Sequence, residues 1–96
     1  MALETKPWDA VDYIKTPRDE FLYLEAAFED GDPGLIAAAI GDVARARGMT
    51  KIAQEAGLTR DAIYKAFRPE GAGNPTLQTL TRVIKALGYR ISIQAV

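Results

Sequence analysis

Residues 49–67 carry the spacing that most restricts the fold. Two short helices that cross steeply need a small residue where they meet, a residue that turns the chain, and apolar residues that fix the second helix to a core. Ala53 is the small residue, and Gly57, four positions on, is the turn, because glycine takes positive φ without a Cβ clash. Leu58 and Ile63 supply the apolar locks, and Ile52, Ala56, Ala66 and Phe67 extend the buried side. Thr59 stands where a cap for the second helix is needed. An alanine four positions before a glycine is common by itself; the agreement of all these positions is what predicts helices over 50–56 and 60–67 with a turn at Gly57-Leu58-Thr59.

The remaining helix boundaries are written in cap residues. Thr16-Pro17-Arg18-Asp19-Glu20 combines an N-cap, proline at the first helical position and acids in the first turn. Phe21, Leu24, Ala27 and Phe28 follow at helical spacing, and Asp30-Gly31 ends the run. Asp32-Pro33 opens a second helix whose expected buried stripe is Leu35, Ile36, Ala39, Ile40 and Val43. Arg45 and Arg47 fall in its last turn, where cations suit the helix dipole, and Gly48 closes it. After a breaker stretch over 69–75, Thr76 caps a fifth helix with Leu77, Leu80, Val83, Ile84 and Leu87 on one face and Gly88 at its end. Residues 89–94 alternate apolar and polar, which predicts a strand. A lone strand needs a partner. That partner is either the N-terminal segment or the same strand of a second molecule, in which case Ile91 and Ile93 would be buried in a dimeric ribbon. The expected fold is therefore mainly α: a five-helix helix-turn-helix domain over 16–96 with a C-terminal β-strand, preceded by a segment over 1–15 that lacks a clear period and could serve as a partner-binding arm.

Composition removes several chemistries. With no cysteine there are no disulfides or thiolate metal sites, and with no histidine the commonest general base and zinc ligand are gone. Asp30 with Asp32 and Asp9 with Asp12 are carboxylate pairs, but neither is joined by a histidine, a cysteine or a glycine-rich phosphate loop. The expectation is no catalysis, no metal and no cofactor. The first eight residues have no apolar run of the signal-peptide kind, and the longest apolar patch, 35–40, is far too short for a membrane span, so a cytoplasmic location and no membrane partner are expected.

The net charge of −1 conceals an asymmetry. Residues 1–48 hold five basic and ten acidic side chains, whereas residues 49–96 hold seven basic and three acidic. The second half is suited to an anion and the first to something else, unless both are merely solvated faces. Thr59, Arg60, Asp61, Tyr64 and Lys65 are left exposed at the start of the second short helix, where a recognition helix meets base edges in the major groove of double-stranded DNA. Arg60 suits a guanine edge, Asp61 a cytosine amine or the support of Arg60, and Tyr64 a thymine methyl or a phosphate. Thr50, Lys51, Lys65, Thr59 and Asn74 suit phosphates, which position the protein without reading sequence.

The run from Asp30-Gly31-Asp32-Pro33 through residues 36–49, then Ile52-Ala53, Gly57-Leu58-Thr59-Arg60 and Tyr64-Lys65-Ala66, resembles the addiction-module antidote proteins, HigA-like antitoxins with a helix-turn-helix of the Xre (Cro/lambda-repressor) type. Asn74-Pro75-Thr76-Leu77, Thr79-Leu80 and Ala86-Leu87-Gly88 are similar to the wider Xre class. The resemblance spans roughly 6–94 and implies an antitoxin that neutralises a small toxin of the RelE/ParE class and represses its own operon; the other reading is an Xre-like repressor without a toxin. Helix-turn-helix proteins usually bind two half-sites as symmetric dimers, so a homodimer is expected on the operator. One departure is Met49, where the Xre pattern often has glutamine. The toxins of that class are implied to be basic, so an acidic first half with Trp8, Tyr13, Phe21 and Tyr23 as apolar anchors would complement one. No period decides whether Trp8 and Tyr13 belong to the core or to a partner.

Overall fold

Four of the five helices begin on a side-chain cap. The computed structural model describes residues 9–69 and 71–96. In α1 (Pro17–Asp30) the Thr16 hydroxyl accepts the Asp19 N–H at 3.1 Å while the Asp19 carboxylate accepts the Thr16 N–H at 3.1 Å, a reciprocal capping box with proline behind it. In α2 (Pro33–Arg47) the Asp32 carboxylate accepts the Leu35 N–H at 2.9 Å. Thr59 caps α4 (Arg60–Ala66) and Thr76 caps α5 (Leu77–Ala86) in the same way. Only α3 (Met49–Ala56) starts on a glycine, Gly48, without a side-chain cap. A single 3₁₀ turn, Ala10–Asp12, precedes them, and Asp9 caps it.

The second helix is the centre of the molecule. Every residue from Ala37 to Ala44 is buried, which explains its run of small side chains: neighbours approach it from several directions. The 3₁₀ turn, α1, α3 and α4 all pack on it, and α5 packs on α3. The core joins Leu24, Ile40, Val43, Ile52, Ile63, Phe67, Val83 and Leu87, each worth roughly 1.5–3 kcal/mol when fully buried. The chain leaving α4 makes two contacts of bare backbone, one with α2 and one with the end of α4 itself. A Cβ on Gly41 would strike the Phe67 carbonyl oxygen, and one on Gly73 would strike that of Ala66.

A buried acid is held by an arginine that keeps access to water. Glu20, only 4% exposed, accepts two bonds from the Arg47 guanidinium, Nε to Oε1 at 2.6 Å and Nη2 to Oε2 at 2.7 Å. The Tyr89 hydroxyl donates to Oε2 at 3.1 Å, and Arg47 Nη2 also donates to the Leu87 carbonyl at 2.9 Å. This cluster holds Arg47 protonated above the usual arginine range, chiefly through the bond to Glu20.

The five helices agree with expectation, with small boundary shifts: α3 starts at Met49, and α4 ends at Ala66 because Phe67 leaves helical geometry at φ −125°, ψ 54°. The expected C-terminal strand is corrected: no strand occurs among the described residues. A strand exists by its ladder, and neither residues 9–15 nor any other described segment offers one to the tail. Trp8 and the rest of 1–8 lie outside the described residues. The apolar stripes are also narrower than periodicity suggests. Leu24 and Ala27 are buried, but Phe21 and Phe28 on the same helix are exposed, as are Leu35 and Leu77, because the neighbours among the described residues cover those edges only in part.

Glu20→Ala should strip Arg47 and Tyr89 of their shared acceptor and cost about 2–3 kcal/mol, toward the low end for a broken buried pair because Arg47 keeps partial access to water. Urea unfolding measures it; an unchanged midpoint would remove the cluster from the list of stabilising interactions. Asp19 is held below its ordinary value of 3.8, first by the Lys15 N–H and then by Thr16. Its contribution is therefore full above that value and lost as pH falls through the lowered one. The thermal-stability deficit of Asp19→Asn should accordingly be clear at neutral pH and shrink below pH 3.8.

Candidate nucleic-acid interface

The joint between α3 and α4 is made by backbone. At the end of α3 the Leu58 N–H donates to the Ala53 carbonyl at 2.9 Å and the Gly57 N–H to that of Gln54 at 3.2 Å, with Gly57 in the left-handed region at φ 71°. Nothing lies within 4 Å of where a Gly57 Cβ would stand, so the glycine is required by conformation and not by crowding. Ala53, Ile63 and Phe67 face inward and are buried, as expected.

The outward side collects the polar residues. Thr50, Lys51, Thr59, Arg60, Asp61, Tyr64, Lys65 and Asn74 are all exposed. Arg60, Asp61 and Tyr64 share an open cleft of about 450 Å³ with Arg45 and Met49. Asp61 and Lys65 form an ion pair one helical turn apart at 3.2 Å, worth little in stability because both are well exposed, yet enough to engage each other. Among the described residues no carboxylate lies within ion-pair reach of Arg60. Thr59 uses an oxygen lone pair for its cap and keeps its hydroxyl proton to donate elsewhere. Asn74 is on the loop after α4 and is not part of the cleft lining. Met49 is mostly buried and forms an apolar wall of the cleft, so this position belongs to packing.

Behind the cleft is a network that sequence reasoning missed. Asp42, 7% exposed, accepts the Tyr23 hydroxyl at 2.6 Å and Arg45 Nη2 at 2.7 Å, and Arg45 also reaches Asp9 at 3.2 Å. Burial, then the bond to Asp42, pushes the Tyr23 phenol far above its usual range. The Val11 N–H and then Arg45 hold Asp9 below the carboxylate range. Tyr23, read as a partner anchor, thus spends its polar end inside the molecule. The three-residue spacing of Asp42 and Arg45 was the one available hint. Tyr13 is 62% exposed just after the 3₁₀ turn, and Ile91 and Ile93 are exposed on the tail. The acids weighed as metal pairs have structural tasks: Asp32 caps α2 and Asp9 caps the turn.

The family model described as "Probable addiction module antidote protein" matches residues 4–95. The chain belongs to this family. A protein of Haemophilus influenzae described as uncharacterized is 37% identical over 94 residues, spanning 98% of this chain and 95% of its own length. No solved structure matches. Membership in a family of probable antidotes is consistent with an antitoxin role, and implies a toxin partner of unspecified type and a regulatory role rather than a catalytic one. No helix of the antidote's described residues is long and apolar enough to cross a membrane.

The cap that starts α4 sets the presentation of its outer face. Thr59→Ala should cost about 1 kcal/mol of stability and Thr59→Ser much less, read by urea titration. If alanine is as good as threonine, the bond from the Ala62 N–H contributes nothing.

Proposed function

We propose that this antidote is the antitoxin of a type II pair, that it neutralises a RelE/ParE-like toxin, and that it represses its own operon by binding operator DNA as a homodimer through a helix-turn-helix of the Xre type. The observation that carries the DNA reading is the two-sidedness of the α3–α4 pair. Its inner side is core, and its outer side is a set of exposed donors with Arg60 unclaimed by any carboxylate among the described residues. In this reading Arg60 takes a guanine edge, with Asp61 and Tyr64 beside it in the cleft. Thr50, Lys51, Thr59, Lys65 and Asn74 hold phosphates. The uncapped first turn of α3, beside Thr50 and Lys51, leaves backbone N–H groups for the same purpose. The excess of basic side chains over residues 49–96 supports that assignment. Trp8 and Tyr13, on the acidic half, are offered as toxin contacts. Family membership favours this reading over a repressor that lacks a toxin.

The test is a titration of the purified chain against its own upstream promoter and an unrelated duplex of equal length, at two salt concentrations. The promoter should be preferred and salt should weaken both. Arg60→Ala should cost about 1–3 kcal/mol on the promoter and flatten the preference, whereas Lys51→Ala should weaken both duplexes alike. Equal affinity for the two duplexes by the unaltered chain overturns the operator reading. Co-expression with the neighbouring reading frame tests the toxin separately: relief of growth arrest is expected, and persistence of arrest in the presence of folded antidote is the contrary result.

A further inference from the structure

The tail has a fixed root and an open backbone. Gly88, at φ 91°, turns the chain, the Tyr89 N–H donates to the Ile84 carbonyl at 3.0 Å, and the Tyr89 hydroxyl is held by Glu20. Beyond that root no backbone group of residues 90–96 has a hydrogen-bond partner among the described residues. Alongside runs a groove of about 440 Å³ with Phe21, Glu25, Phe28 and Glu29 on its α1 wall and Ile84, Arg90 and Ile91 opposite. Phe21, Phe28 and Ile91 are exposed in it, and Ile93 is 97% exposed beyond it. Neither Glu25 nor Glu29 has a cation within ion-pair reach among the described residues.

An occupant of this face must supply backbone donors and acceptors and apolar side chains, and a further cation suits it, because two carboxylates there face the single Arg90 of the same copy without an ion pair. A second copy of the tail supplies all three: the same open backbone, Ile91 and Ile93, and Arg90 between Tyr89 and Ile91. A segment paired antiparallel with itself is self-complementary, the form that closes a two-fold dimer and removes an aggregation-prone edge. We infer that two copies of the chain associate through their tails, residues 90–94 of each pairing antiparallel, with the isoleucines packed over the groove beside α1 and Arg90 brought toward Glu25 and Glu29. The single copy shows no strand because its ladder lies on the other copy. This deepens the homodimer in the proposed function, and its test uses neither DNA nor toxin, so the two stand or fall separately.

Sedimentation equilibrium of the full chain alone, at micromolar concentrations, should give twice the 10.5 kDa chain mass. Ile93→Asp, at a side chain that touches almost nothing in one copy, should leave the circular dichroism and melting of the monomer intact and weaken association at least about tenfold. The chain has no cysteine, so a single introduced thiol reports proximity. Ser92→Cys, at the centre of 90–94, should form a covalent dimer on oxidation, since directly opposed antiparallel residues stand about 4.5–5.5 Å apart at Cα, within disulfide range. Thr81→Cys on α5 should not. A monomeric mass for the unaltered chain, a dimer indifferent to Ile93→Asp, or equal cross-linking at both cysteines would each overturn the inference. A chain monomeric alone whose groove is then covered by a basic partner would do so in the partner's favour.

Discussion

The rest of the arrangement depends on the ion pair between Glu20 and Arg47. Apolar contact between helices is non-directional and tolerates sliding. A buried carboxylate does not tolerate it, because losing its donors leaves a desolvated charge. Glu20 meets Arg47 through two parallel bonds, the geometry that a planar guanidinium matches best, and takes a third from Tyr89. Arg47 in turn holds the carbonyl of Leu87, where α5 ends. One point therefore joins α1, α2 and the root of the tail, elements that the apolar core alone would leave free to shift against each other.

Legibility in the sequence followed distance along the chain. Caps were readable because their partners are three residues away: Thr16 with Asp19, Asp32 with Leu35, Thr59 with Ala62, Thr76 with Thr79. The glycine turn at Gly57 was readable for the same reason. The Glu20 cluster was not, since its members are separated by 27, 40 and 69 residues and a lone glutamate in a first turn already had a sufficient local explanation. Periodicity located the apolar stripe of α1 but not its coverage. Phe21 and Phe28 share a face with Leu24, yet burial is decided by neighbours, and those among the described residues cover them only in part. The tail failed similarly: alternation specifies which way side chains can point and says nothing about whether a ladder is present. At the candidate interface, the exposed polar positions on the outer side of the helix pair were legible, whereas the pinning of Arg45 by Asp9 and Asp42 needed the fold.

The charge asymmetry also acquires a physical meaning. Two acids of the first half, Glu20 and Asp42, are consumed inside the molecule by arginines of the same half. The acids that remain on α1 face outward beside exposed phenylalanines, while the basic side chains of α3 and α4 lie on the outer side of a different helix pair. The acidic and the basic surfaces are therefore separate places on the molecule, and the proposed function assigns one to each partner.

The glycine contacts that tie the chain leaving α4 to α2 and to the end of α4 carry one last consequence. A joint made of bare main chain cannot be adjusted by degrees: one added methyl at Gly41 or Gly73 already collides with a carbonyl oxygen. Inherited change is channelled elsewhere. The letters displayed on the outside of α4 can be exchanged singly at little cost to folding, while the pose in which they are displayed comes as a unit. A lineage built on this chassis would alter the face it shows far sooner than how it stands.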